Sequence, residues 1–184
     1  MTWHHRYIYF VFFSLAVALL RPALALATVH ALFDLTTPTG GPFPSDAFTI
    51  ADPTQNTGRR VSLPLPDCTV RPSDCSDLMV INTLDGFNLQ PRLSIPFDGD
   101  IHVATVTSQS VLLIRLGDTL VSGDHGGQVI GINQVVWDPD TITLHVESDD
   151  ALDQHTRYVL IVTNGVHDGC GAPVAASEAF LRFQ

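Results

Sequence analysis

Residues 141–164 read TITLHVESDDALDQHTRYVLIVTN. In the first part, Ile142, Leu144 and Val146 fall on one side of an extended chain, and Thr143 and His145 fall on the other. A short acidic gap follows, and then a strongly apolar run ends at Asn164-Gly165, a turn pair. Immediately upstream, Asp138-Pro139-Asp140-Thr141 separates Val135-Val136-Trp137 from Ile142. Pro presets one turn torsion and Asp bonds back to the backbone, so this segment reads as a hairpin connection. The period of two, rather than 3.6, makes the region a strand meander.

The same grammar extends in both directions. LMVIN, PRLSIPF, SVLLIRL, QVIGINQVVWD, TITLHVES, RYVLIVTN and AFLRF succeed one another after residue 77, separated by Gly, Asp, Asn and Pro. Helical signals are short, at residues 105–110, 149–153 and 175–181. Seven strand-like runs in about 106 residues, with turns every 8–12 positions or so, match the spacing of an all-β, Ig-like antiparallel β-sandwich. The expected sandwich spans residues 79–184.

Residues 28–78 differ in kind. They hold seven Pro, at 38, 42, 44, 53, 64, 66 and 72, among Thr, Gly and Asp. Pro removes backbone donors and is excluded from helix interiors and central strands. Phe33, Phe43, Phe48, Ile50, Leu63 and Leu65 are spaced to lie along a neighbouring surface. The segment reads as a Pro-rich extended arm packed on the domain behind it, with a short strand near residues 61–65; a disordered linker is the competing reading. Cys68 and Cys75 lie seven positions apart among Pro, Ser and Asp, where no regular element is expected. In an oxidising compartment they form a disulfide that clips the loop, contributing roughly 2–3 kcal/mol by chain entropy. Two free thiols, or pairing with Cys170, are the alternatives; Cys170 in DGCGAP otherwise sits unpaired in a turn.

The compartment follows from residues 1–27, MTWHHRYIYFVFFSLAVALLRPALALA. One Arg precedes an apolar run over residues 7–20, Arg21-Pro22 breaks it, and Ala25-Leu26-Ala27 supplies a small-x-small cleavage pattern. Fourteen apolar residues fall short of the ~20 a spanning helix needs. The stretch reads as a signal peptide cleaved before Thr28, with an uncleaved anchor as the alternative. The chain has 19 acidic residues and nine Arg, with no Lys. Arg6 and Arg21 precede Thr28, so the remainder sets seven Arg against 19 acids, a net charge of −12. So acidic a chain lacks the cations that neutralise phosphates, which excludes nucleic acid and disfavours anionic membrane surfaces.

Two stretches resemble a known family. IPFDGDIHVATVTSQSVLLIRL joins a Phe-bearing strand end, an acidic turn, Ala104-Thr105-Val106-Thr107 and the opening of the next strand at Ser110-Val111. LDQHTRYVLIVTNGVHDGCGAPV carries Leu152, Thr156-x-Tyr158, an apolar strand, Gly165-Val166, Asp168 and Gly171-x-Pro173. Together they resemble the bacterial Ig-like domain of the S-layer protein type. With the Pro-rich lead PFPSDAFT, they are also similar to the N-terminal region of large secreted lipase-like hydrolases. The resemblance implies a buried Tyr158 ring whose hydroxyl bonds to nearby backbone, and a turn shaped by Asp168 and Gly171. His102 and Cys170 depart from the pattern, and the final strand is expected to be incomplete at Gln184.

Reactive constellations are sparse. Gly-x-Ser-x-Gly does not occur, and Ser122, Asp124 and His125 are too close in one Gly-rich loop to form a Ser–His–Asp relay. His30, His102, His125, His145, His155 and His167 show neither His-x-His nor His-Glu-x-x-His spacing. Asp98/Asp100 and Asp138/Asp140 offer oxygens but lack the calcium-loop pattern. Phe97 and Trp137 at strand ends suit core packing better than a sugar platform. The expectation is therefore a non-catalytic, exported bacterial module, secreted or at the cell surface. It acts as spacer, accessory or adhesion domain, without cofactor, metal or catalytic residues. The alternative is the accessory region of a lipase-like α/β-hydrolase. Partners would be a downstream domain or another cell-envelope protein.

Overall fold

Alternation along the strands puts Leu93, Ile95 and Phe97 against Val111, Leu113, Ile130, Ile132, Leu144 and Val146, and this contact is the centre of the molecule. The structure is a computed structural model that describes residues 28–183 apart from Leu35 and Pro38. The leader expected over residues 1–27 lies outside the described residues. In chain order the elements are β1 (His30–Ala31), β2 (Thr49–Ala51), β3 (Arg59–Val61), α1 (Pro72–Ile81), β4 (Leu93–Pro96) and β5 (Val111–Asp118). There follow β6 (Val129–Ile130), β7 (Ile132–Asp138), β8 (Thr143–Ser148), β9 (Thr156–Val162), β10 (Ala175–Ala176) and α2 (Glu178–Phe183).

Two antiparallel three-stranded sheets, ordered β4-β8-β7 and β6-β5-β9, sandwich the core. The fold is an Ig-like β-sandwich. In β8, Leu144, Val146 and Ser148 are fully buried while Thr143, His145 and Glu147 face partly outward, the period of two read from the sequence. The hairpin into β8 is closed by Asp138, whose carboxylate accepts the Asp140 N–H at 3.0 Å and the Thr141 hydroxyl at 2.9 Å. Ile142 departs from its expected place in the strand. It ends the turn at φ 51°, a costly conformation for a β-branched residue. Core packing and the Phe97 N–H bonded to its carbonyl at 3.0 Å hold it there.

Five of the seven expected runs are strands, and two are not. LMVIN belongs to α1, which also overturns the expectation that Cys75 lies in no regular element. Pro72 occupies the first turn, where its missing N–H is unneeded, and Asp74 follows beside Arg71. Four consecutive apolar residues have no alternation, so the run was open to either element. AFLRF, expected as a strand and overlapped by the short helical signal at residues 175–181, forms α2. Ser177 precedes this helix, and its Oγ accepts the N–H of Phe180 at 3.4 Å and of Phe33 at 3.2 Å, an N-cap that also anchors the arm. The helical signal at residues 149–153 is loop, and that at 105–110 reduces to a 3-10 turn over Val103–Thr105.

The N-terminal arm is woven into the sandwich. β1 pairs in parallel with β10, and Ala31 also bridges Phe97 in the opposite sense. Phe43 exchanges two main-chain hydrogen bonds with Ser94, at 2.9 and 2.7 Å, extending the β4 edge. β2 and β3 form a hairpin, so the short strand falls at Arg59–Val61 rather than at residues 61–65. Val61 of this hairpin is fully buried. Residue 78, the expected end of the arm, falls inside α1.

Candidate functional site

Cys68 and Cys75, the only site residues expected from the sequence, are joined, with their Cα atoms 5.6 Å apart. Asp67 opens the clipped turn: its carboxylate accepts the Thr69 N–H at 2.9 Å and the Thr69 hydroxyl at 2.6 Å. The bridge fastens this turn to the first turns of α1, where Cys75 is buried. Cys170 is free and exposed. The disulfide is architectural: it holds a helix whose outer face carries Met79 and Val80 in solvent.

The Gly-rich loop after β5 holds Ser122, Asp124 and His125, and Asp124 is wholly committed to structure. Its Oδ1 accepts from Arg115 at 2.9 Å and from the Gly126 N–H at 3.0 Å, and its Oδ2 accepts the Asp118 N–H at 3.0 Å. Arg115 also reaches Asp153 at 3.0 Å, so one guanidinium ties this loop to the loop before β9. The Arg115 hydrogen bond, then the Asp118 and Gly126 amides, hold the Asp124 carboxyl well below the usual carboxylate range. A carboxylate so engaged does not orient His125, and no relay is assembled.

One carboxylate of each acidic pair is spent likewise. Asp98 accepts the His30 N–H at 2.6 Å and faces His30 Nδ1 at 2.7 Å, locking β1 beside the end of β4. Asp138 caps its own turn. Among the described residues no three His, Cys, Asp or Glu side chains converge to hold a metal ion. Phe97 is buried and meets the Trp137 ring edge-on at 6.0 Å, which is core packing, not an exposed stacking platform.

Sequence reading passed over one polar cleft. Ser94 and His145 are paired across β4 and β8, with Ser94 Oγ 2.9 Å from His145 Nδ1. Arg92, Val136, Trp137, Asp138 and Pro139 complete an open cleft of about 500 Å³. Burial, and secondarily Arg92, push the His145 pKa down against the opposing pull of Asp138, so the imidazole is neutral near pH 7. With Asp138 engaged in its turn, no carboxylate among the described residues hydrogen-bonds His145 to activate Ser94, and the pair acts as a cross-strand hydrogen bond. Strand register alone brings these two residues together, 51 positions apart.

Asp-x-Thr is a signal that was available. Asp34, Asp52 and Asp67 each accept both the N–H and the hydroxyl of the Thr two residues on, at 2.6–3.0 Å. These turns give the arm its order without regular secondary structure. Asp85, after α1, does the same at long range, accepting the Thr57 hydroxyl at 2.5 Å and the Asn56 N–H at 2.9 Å.

Of the features implied by resemblance, the Tyr158 ring is half-buried rather than buried, while its hydroxyl bond and the Asp168 turn are present. The Tyr158 hydroxyl accepts the Asp153 N–H at 2.9 Å, a strand-entry arrangement known from Ig-like folds. Buried Asp168 accepts the N–H groups of Cys170 and Ala172, each at 2.9 Å, in the turn where Gly171 adopts φ 88°. No helix among the described residues is long and apolar enough to cross a membrane. No curated protein matches the chain. The solved N-terminal part of the bacterial S-layer protein SbsC aligns with 61% of this chain and 28% of its own, at 14% identity and a TM-score of 0.34. The family assignment therefore rests on sequence: the profile of the bacterial Ig-like domain matches residues 78–184, more than half of the length, and the chain belongs to that family.

Proposed function

We propose that this protein is a non-catalytic, exported Ig-like module that acts as a spacer or accessory block of a bacterial extracellular or cell-surface protein. The observation that carries the reading is the commitment of its polar clusters to architecture. The carboxylates of Asp98, Asp124 and Asp138 hold a strand junction, a loop and a hairpin. A sandwich so built is a stiff block whose end loops present contact surface. Export is supported by the leader-like residues 1–27 and by a disulfide bridge, which persists in oxidising compartments. The proposed organisation is a leader through residue 27, a Pro-rich arm through 78 and the sandwich thereafter.

A panel of nitrophenyl esters and glycosides tests the absence of turnover, and fractionation of the producing cells tests export. No hydrolysis above buffer, with protein outside the cytoplasm and starting at Thr28, is the expected result. Turnover that survives purification and is abolished by Ser94→Ala or His125→Ala would overturn it. A second reading, the accessory region of a lipase-like hydrolase, is favoured by the integration of the Pro-rich lead into the sandwich through the Phe43–Ser94 pairing. Sequencing beyond the Gln184 codon separates the two: an open frame entering a Gly-x-Ser-x-Gly hydrolase carries the second.

A further inference from the structure

β9 is the margin of the β6-β5-β9 sheet, and its ladder shows which of its main-chain groups are used. The Thr163 N–H donates to the Ser110 carbonyl at 2.8 Å, and the register continues Leu112↔Ile161 and Ile114↔Val159. An antiparallel ladder alternates. Val159 and Ile161 therefore turn their N–H and C=O groups toward β5, whereas Tyr158, Leu160 and Val162 turn theirs away. Among the described residues, no main-chain hydrogen bond outside the ladders reaches those three.

The open margin has a local cause. The His167↔Pro173 bridge and the Val174 N–H bonded to the Val166 carbonyl at 2.9 Å begin a hairpin. Continued in step, it would lay residues 178–182 along β9. Instead Ala175–Ala176 pair with β1 and Ser177 caps α2, so the covering strand departs. The core-facing side chains Tyr158, Leu160 and Val162 are left half-buried, while Val111 and Leu113 on β5 are 0% and 3% exposed.

The outer face beside this margin is also unusual. Leu112, Ile114, Val129, Val159 and Ile161 point away from the core and are all aliphatic, with Val129 60% and Val159 39% exposed. An antiparallel sheet facing water normally carries polar residues there, and long apolar edge strands are normally blocked by charge or bulge. A strand that completes this sheet must be aliphatic on both faces: one to fill the gap beside Leu160, the other to continue the Val159–Ile161 surface. The centre of β9 is itself such a strand, with Leu160 and Val162 on one face and Val159 and Ile161 on the other.

We propose that β9 pairs with β9 of a second copy of this chain, antiparallel about a two-fold axis at Leu160, joining the two sheets into one of six strands. In this register Leu160 faces Leu160 of the second copy and Tyr158 faces its Val162. The outward-turned groups of both copies are thereby satisfied. On the outer face Val159 meets Ile161 of the second copy, and Arg157 meets its Thr163. Arg157 is the one charge on β9, and the two copies of it stand roughly 20 Å apart, about twice the Debye length at 0.1 M salt. The pairing is isologous and closes on itself.

Sedimentation velocity of the purified protein, from micromolar to millimolar concentration, tests this. The expected result is a reversible shift from monomer to dimer, with amide exchange at Tyr158, Leu160 and Val162 slowing as concentration rises. V159K/I161K places Lys against Lys across the seam on the solvent side and weakens association about tenfold or more. V159K/I161E sets Lys against Glu and restores it, which separates a seam effect from misfolding. A wild-type protein that stays monomeric throughout, a Lys pair that leaves association unchanged, or concentration-independent exchange at the three amides would overturn the proposal.

Discussion

Gly126 and Gly123 share one loop and positive φ, at 61° and 88°, yet differ in what surrounds them. A Cβ on Gly126 would collide with the Arg115 carbonyl oxygen, while one on Gly123 meets open space. We expect Gly126→Ala to cost about 2–4 kcal/mol and Gly123→Ala only about 1 kcal/mol, measured by urea denaturation. Tyr158→Phe removes the acceptor for the Asp153 N–H. It should cost roughly 0.5–1.5 kcal/mol with an unchanged urea slope, since little else depends on the hydroxyl. The bonds of Tyr158 and Asp168 were anticipated through the family resemblance, and each is made within a few residues of its own position. Ser94–His145 and Arg115–Asp153 were not anticipated, because strand register and loop packing make those contacts across long stretches of chain.

The strands that alternate were readable; of the two runs that became helices, LMVIN carried no helical signal, whereas the short signal at residues 175–181 overlaps α2. In LMVIN and AFLRF the decision lies outside the run. Pro72 and Asp74 start α1 upstream of the apolar residues. Ser177 starts α2, whose Phe180 and Phe183 rings then close on Phe33 at 5.5 and 5.3 Å. The Cys68–Cys75 bridge acts at this scale too. Reduction should cost roughly 2–3 kcal/mol by loop entropy and loosen the first turns of α1. The check is a urea melt with and without reductant, paired with amide exchange at residues 72–77. Protection in β5 and β8 should persist, because each is held by the ladders of its own sheet.

For the whole molecule, β1 and the Phe43 pairing mean that the family-matched span does not contain all of the strands that pair with the sandwich. Residues 78–184 alone lack the partner of β10, the bridge to Phe97 and buried Val61. We expect that fragment to lose roughly 3–5 kcal/mol relative to a chain starting at Thr28, as after a large core truncation. A dye for exposed apolar surface and a thermal melt would register the loss. Acid should act on the entire fold. Asp34, Asp52, Asp67, Asp124 and Asp138 are all held below the usual carboxylate range, chiefly by hydrogen bonds to neighbouring Thr residues and, for Asp124, to Arg115. Folding disfavours their protonation, so this stability is complete above the unfolded carboxylate pKa of ~3.9 and drains away as pH falls below it. Tm should therefore hold from pH 7 to about 5 and drop below about 4, with Asp124→Asn flattening that drop.

Composition, period-two alternation and turn chemistry were enough to specify an acidic, Ig-like sandwich, because these signals are local and survive in one dimension. They also picked out the Cys pair now seen bridged. Which strand closes which edge was settled only in three dimensions. β1 takes β10, and Ser177 turns the chain into α2. β9 is left without its neighbour because pairing depends on the positions of segments more than 100 residues apart.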